Sequence, residues 1–398
     1  MPTSLRHDPP APVKILHLIE PGSPGGGPCT LALLAGLRAC RPDFAGDVLA
    51  IGGADDVAFA RRCGIEVTGA IAPPVRWPAL VMRGARRSIR NLEVESGRYD
   101  VIHAWTLGGA ALAALAAPGR RRVATVSVGP ERSLAMHLVG RLLGRRPGPI
   151  LATTRAVERG CASAGIPRRL LSVVPPAVDR GETQRVDRAA LRRRWGCDDR
   201  AFLVGMLSDP PQWSDARSAT SIVMRTAGAR DRTRVLLHGQ ASRRVAGSWW
   251  AEQIVGENVT IVEDDMAEPW KVVAGLDAVL HLHPAQPAPG EHHHERVPGA
   301  LPVMWAMAAG CPVIAEPAGG ADDLVRAAGC GWVIDRGEPN AAADAINRLD
   351  ADRAMALELG RRAREYASEH LTPRVYAERM AEEYARVGAP VTRSCGSR

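Results

Sequence analysis

Three segments of the chain hold residue types whose spacing points to chemistry. Gly25-Gly26-Gly27 lies between a short β-type run and an apolar helical stretch. A glycine loop in that position lets backbone amides come close to a phosphate, and Gly25 and Gly26 are the candidate contacts. Pro298-Gly299-Ala300-Leu301-Pro302 opens a second apolar helical stretch. Proline in the first turn suits a helix start, and the amides of Gly299, Ala300 and Leu301 can point at a diphosphate. The third segment is His281-Leu282-His283 followed by Glu291-His292-His293-His294-Glu295-Arg296. Its donor types fit a zinc site, a solvated loop, or a positive patch in which His294 and Arg296 meet a phosphate; all three readings stand. Trp249-Trp250 reads as a sugar-stacking pair or as packed core.

The elements that must hold these segments follow from periodicity. Val13–Ile19 is a β-type run, and Cys29–Arg41 has helical spacing with Leu31, Leu34 and Leu37 on one face. Strand, glycine loop and helix together open a doubly wound α/β domain. Strands are expected over 47–51, 101–104, 123–128, 150–153 and 172–174, with helices over 55–63 and 109–116. The charged stretch Asp179–Arg194 reads as a linker, after which alternation restarts with strands over 201–207, 235–238, 259–262, 277–283 and 313–314. A charged helical region then runs to Val387, broken near Thr372-Pro373. The expected fold class is α/β, with two doubly wound Rossmann-like domains facing a central cleft. The expected domains are residues 1–180 and 181–371, then a returning helix over 372–387 and a disordered tail over 388–398.

Composition narrows the class. The chain has 398 residues, of which 46% are hydrophobic and only 4% aromatic. Residues 1–180 hold 24 Lys+Arg against 13 Asp+Glu, whereas the remainder holds 27 against 30. A basic first half suits an anionic lipid surface or acceptor, and it equally suits a solvated basic surface. The Arg-rich stretches Arg83–Arg90 and Leu138–Arg146 are where such contact is expected. Spread-out charge and scarce aromatics argue against nucleic acid. The eight cysteines show no C-x-x-C pair, which favours reduced thiols and a cytoplasmic protein. Met1–Pro12 does not read as a signal peptide, and the apolar stretch Ala104–Pro118 is too short to span a bilayer, so membrane contact is expected to be peripheral.

Several segments, in order, resemble glycosyltransferase family 4 of the GT-B superfamily. Pro302–Ile314 is similar to the family's P-x-x-E-A-M-A-x-G-x-P-V-I segment, and Gly319–Val325 to its G-G-x-x-E-[IL]-V turn. Cys330–Val333 occupies the next strand, Val173–Asp179 is similar to V-I-P-N-G-V-D, and Gly25–Gly27 to the N-terminal glycine loop. The resemblance implies transfer of a sugar, with retention, from a UDP- or GDP-linked donor to a hydroxyl of a glycan or lipid-linked acceptor. It implies no cofactor and no protein-bound metal. It places His103 and Ser127 on the acceptor side, and Gly25, Gly26, Gly205, Gly299, Ala300 and Leu301 at the donor.

The polar anchors of that family depart from the pattern here. The two glutamate positions are Val297 and Trp305, the clamp arginine is Met206, and the clamp lysine falls on Pro211 or Gln212. Ser127 stands where a histidine is expected, and Trp105 replaces the second histidine after His103. Charge-assisted hydrogen bonds contribute about 1.5–3 kcal/mol each, so losing two cationic clamps alone removes about 3–6 kcal/mol. Three functions therefore compete. They are a transferase with an altered donor site, a non-catalytic descendant that binds nucleotide-sugar or glycan or regulates an active paralogue, and a peripheral membrane scaffold.

Overall fold

The computed structural model describes residues 12–21, 28–44, 46–71, 78–127, 129–130, 134–198, 200–207, 221–222, 225–226, 233–238, 259–262, 269–282, 300–317 and 319–391. The first half alternates strand and helix: β1 (Ile15–Ile19), α1 (Pro28–Cys40), β2 (Gly46–Ile51), α2 (Ala54–Arg62), β3 (Gly69–Ile71), α3 (Pro78–Ser96) and β4 (Val101–Ala104). It continues through α4 (Leu107–Ala116), β5 (Arg122–Val126), α5 (Leu134–Arg145), β6 (Ile150–Ala152), α6 (Arg155–Ser163) and β7 (Leu171–Val173). The seven strands form one parallel sheet in the order β3-β2-β1-β4-β5-β6-β7. β1 and β4 are buried at every position, as a sheet covered on both faces requires.

Asp179–Arg194, read from its charge as a linker, instead forms two short helices, α7 (Arg180–Gln184) and α8 (Arg188–Arg194). Asp179 and Asp187 are their N-caps, accepting from the amides of Gly181 and Ala190. Arg192 is only 2% exposed. Its guanidinium donates to the carbonyls of Gly275, Asp198 and Ala201 and to Asp277. The charges that suggested a linker are therefore caps and one buried, paired arginine.

The second half holds β8 (Phe202–Leu207), β9 (Thr233–His238), β10 (Val259–Val262), α9 (Pro269–Val273), β11 (Ala278–His281), α10 (Leu301–Ala309), β12 (Val313–Ala315), α11 (Ala321–Ala328), β13 (Gly331–Val333), α12 (Pro339–Ala351), α13 (Arg353–His370) and α14 (Pro373–Arg386). Its six strands are again all parallel, in the order β10-β9-β8-β11-β12-β13. Phe202, Val204 and Met206, alternate residues of β8, share a core with Ile222, Val235 and Leu280. Gly310 ends α10 in the left-handed conformation (φ 81°), and a Cβ on Gly360 of α13 would lie 2.1 Å from its carbonyl oxygen. The two helices pack at a distance that only glycine allows.

Two compact units emerge. One comprises residues 1–152, 160–174 and 376–398, the other residues 153–159 and 175–375. Most of α14 thus packs with the first sheet. There Tyr384 is fully buried, and Ala389, inside the expected tail, is 8% exposed and donates to the Tyr384 carbonyl. No helix among the described residues is long and apolar enough to cross a membrane, and Cys40, Cys63, Cys161, Cys197, Cys311 and Cys330 form no disulfide.

Candidate functional site

In an open parallel sheet, ligands bind beyond the carboxyl ends of the strands, where the strand order reverses. In the first sheet that point lies between β1 and β4. Glu20 follows β1 directly, and Trp105 and Thr106 follow β4. Thr106 is the N-cap of α4. Its hydroxyl accepts from the Gly109 amide (2.9 Å) and donates to Glu20 Oε2 (2.7 Å). A Cβ on Gly108 would lie 2.9 Å from Glu20 Oε1, so the first turn of α4 closes tightly on the carboxylate. Burial pushes the Glu20 carboxyl above its usual range, and the Thr106 hydrogen bond opposes only part of that shift. Ser127 follows β5, is buried, and lies 3.3 Å, oxygen to oxygen, from the Thr30 hydroxyl of α1.

His103 is one layer deeper. It is fully buried, with Nδ1 2.7 Å from the Tyr384 hydroxyl and Nε2 2.9 Å from the Thr125 hydroxyl. Trp105 stacks on its ring (4.3 Å between centroids) and donates from Nε1 to His17 Nδ1 (3.3 Å). Burial holds His103 well below its ordinary value and lowers His17 to about 3, so both rings are neutral. As placed, His103 offers neither ring nitrogen to a ligand. It ties β4 and β5 to α14.

In the second sheet the order reverses between β8 and β11. Met206, near the end of β8, is 1% exposed and belongs to the apolar core. Gly205 pairs with β9 and β11, and a Cβ there would sit 2.2 Å from Leu276 Cδ1. Packing accounts for that glycine, and its place inside the ladder leaves it no evident donor contact. Ala300 is the N-cap of α10, and its methyl group supplies no acceptor to the helix start. Pro302 lacks an amide hydrogen, so Leu301 and Val303 hold the first-turn N–H groups. Trp305 is buried within the same helix, at 7% exposure. Glu316 follows β12, is 5% exposed and accepts from the Gly337 amide (2.9 Å). Gly25, Gly26, Pro211, Gln212, Trp249, Trp250, His292–Arg296, Val297 and Gly299 lie outside the described residues.

Glu20, Thr106, Tyr384 and Glu316 escaped the sequence reading. For the two glutamates a signal existed: each is an acid placed directly after an apolar strand run, at a carboxyl end. Thr106 and Tyr384 owe their places to tertiary contacts that have no local pattern.

Known proteins match the chain in the same order as its two sheets. The family model described as Glycosyltransferase Family 4 matches residues 25–182, and that described as Glycosyl transferases group 1 matches residues 265–369. A GDP-mannose-dependent alpha-(1-6)-phosphatidylinositol monomannoside mannosyltransferase of Mycolicibacterium smegmatis is 26% identical over 320 residues, covering 77% of this chain and 82% of that protein. Its counterpart in Mycobacterium tuberculosis H37Rv is 27% identical over 314 residues, covering 74% of this chain and 78% of that protein. The structure of Anabaena HepE in complex with UDP superposes with a TM-score of 0.76 at 20% identity, over 94% of this chain and all of that one. A glycosyltransferase of Rickettsia africae gives 0.74 at 13% identity, over 94% of this chain and 98% of that one. With both halves matched and the two-sheet architecture shared, the chain belongs to the family 4, group 1 glycosyltransferases of the GT-B superfamily.

Proposed function

We propose that the protein transfers a hexose, with retention, from a nucleoside diphosphate donor to a hydroxyl of a lipid-linked or glycan acceptor. The observation that carries this reading is the start of α10. Ala300 brings no side-chain acceptor there, and the Leu301 and Val303 amides sit at the positive end of a buried helix. A leaving diphosphate gathers negative charge, and fixed amides at a helix N-terminus stabilise it without reorganising. GDP-mannose is the first donor to test, because the mannosyltransferases that the chain resembles are named for it. UDP-glucose is the second, since HepE is described in complex with it.

On the acceptor side, Glu20 at the end of β1 carries the carboxyl group, with Ser127 two strands away at the end of β5. A membrane acceptor is supported by α5. Leu134 and Leu138 are 78% and 57% exposed, and Arg141 and Arg145 continue the same helical stripe. An apolar stripe joined to arginines suits a shallow seat on anionic lipid.

A second reading has its own observation. Met206 lies in the core where the family's clamp cation is expected, and buried Trp305 takes the place of an acid. Binding without transfer would follow if nothing replaces them. Incubating the protein with GDP-[14C]mannose or UDP-[14C]glucose and a lipid extract separates the two readings. Label appearing in lipid supports transfer. Intact donor throughout, with binding retained, supports the non-catalytic reading.

A further inference from the structure

The amino-terminal edge of the first sheet, opposite the end discussed above, holds a cavity of about 530 Å³. Four chain segments meet there: Gly119–Arg122 before β5, Pro147–Pro149 before β6, Arg169–Ser172 entering β7, and Arg386-Val387 at the end of α14. Among the described residues five arginines line it and no carboxylate does. Among the described residues two of the five have an acidic partner in a salt bridge, Arg120 with Glu93 (2.6 Å) and Arg386 with Glu383 (3.1 Å). Arg122 is committed to the carbonyls of Ala117 and Arg146, and Arg169 makes one long contact (3.5 Å) to the Gly144 carbonyl.

Two buried polar atoms of the lining residues have no hydrogen-bond partner among the described residues: Arg120 Nη1 and Ser172 Oγ. One is a cationic donor and the other a hydroxyl. A buried donor left unmade is costly, and the two belong to separate segments converging on one cavity. Prolines 147 and 149 stiffen the rim. Guanidinium groups in such a concave, preformed setting match phosphate oxygens in fork geometry, and the volume falls within the range of small-ligand sites.

We propose that this cavity is a second ligand site, separate from the sugar-transfer site, that takes a phosphate-bearing group. No residue is shared with the donor reading. The amino edge and the carboxyl end of β5 are roughly 13 Å apart at about 3.3 Å per residue, too far for one phosphate to touch both. The group belongs either to a soluble phosphorylated metabolite or to a lipid headgroup, and guanidinium recognition is the same for both.

The test is calorimetric titration of the full chain with inorganic pyrophosphate at low salt. It compares the otherwise wild-type chain, the double variant Arg121→Ala/Arg169→Ala, and Arg61→Ala as a control on exposed α2, each carrying Ala300→Glu so that the start of α10 takes no diphosphate. Arg121 and Arg169 are exposed, so folding is expected to survive, and urea midpoints check it. The proposal expects a binding event in the otherwise wild-type chain and the control that weakens about tenfold or more in the double variant. No binding in the otherwise wild-type chain, or equal binding in a folded double variant, overturns it. Sedimentation with phosphatidylcholine vesicles, with and without phosphatidylglycerol, assigns the source. Loss of vesicle binding in the double variant points to a headgroup. Unchanged vesicle behaviour with weakened pyrophosphate binding points to a soluble ligand.

Discussion

Replacing Thr106 by valine removes one hydroxyl and keeps the shape. That hydroxyl makes two bonds: it caps α4 through the Gly109 amide and donates to Glu20 Oε2. Loss of an N-cap costs typically about 1 kcal/mol, and a hydrogen bond to a charged group adds about 1.5–3 kcal/mol. Thr106 is 7% exposed, so water replaces neither bond fully. Thr106→Val is expected to destabilise the first unit by roughly 2–4 kcal/mol, and Thr106→Ser by far less. Urea midpoints give the total. Amide hydrogen exchange over Leu107–Ala116 gives the local part, with protection lost first in the opening turn. The Glu20 share requires an ionised carboxylate, so the valine variant's penalty shrinks as pH falls through the raised pKa of Glu20. If Thr106→Val and Thr106→Ser agree within about 0.5 kcal/mol, the typical scatter of a surface substitution, and exchange alike, the bridging role of this hydroxyl is refuted.

Other consequences are equally open to measurement. Burial raises the Glu20 carboxyl, so its cost is absent below the unfolded value of 4.5, where both states are protonated, and complete above the folded value. Glu20→Gln is therefore expected to gain stability relative to wild type as pH rises through that window, in paired urea titrations, and to lose transfer activity. His17 is held near 3 and His103 well below 6.5. The unfolded chain then binds more protons below about 6.5, and stability should fall steadily from pH 7 to pH 4, read as a falling urea midpoint. Asp277 pairs with Arg188 (2.6 Å) and buried Arg192 (2.9 Å) and accepts from the Leu203 amide. Asp277→Ala leaves Arg192 charged without a carboxylate, an expected loss of about 3–5 kcal/mol in the second unit. Gly360→Ala places a methyl 2.1 Å from the Gly310 carbonyl oxygen and should force α10 and α13 apart. Thermal unfolding would register that overpacking as a loss of about 1–3 kcal/mol.

The two sheets were legible because a parallel strand covered on both faces must be an apolar run. Ile15–Ile19, Val101–Ala104 and Ile150–Ala152 announce themselves that way, and the pauses between them mark the crossovers. Gly69–Ile71 was not foreseen, being three residues long with a glycine and an alanine. Asp179–Arg194 misled because helix caps and a buried arginine have the composition of a linker. The site was legible only in part. Ala300 and Leu301 sit at a helix start as expected, and Met206 and Trp305, singled out in the sequence, are both buried. The resemblance made His103 an acceptor-side candidate, yet its ring nitrogens are taken by Thr125 and by Tyr384, the latter 281 positions along the chain. Pairings of that range have no signature in local sequence.

The central claim is that a diphosphate-linked sugar binds at the start of α10. Calorimetric titration of the folded chain with GDP, GDP-mannose, UDP and UDP-glucose tests it most directly. Micromolar affinity for one nucleotide series, abolished by the substitution Ala300→Glu that puts a carboxylate at the helix start, is the predicted result. No binding to any of the four by a protein shown to be folded would contradict the account.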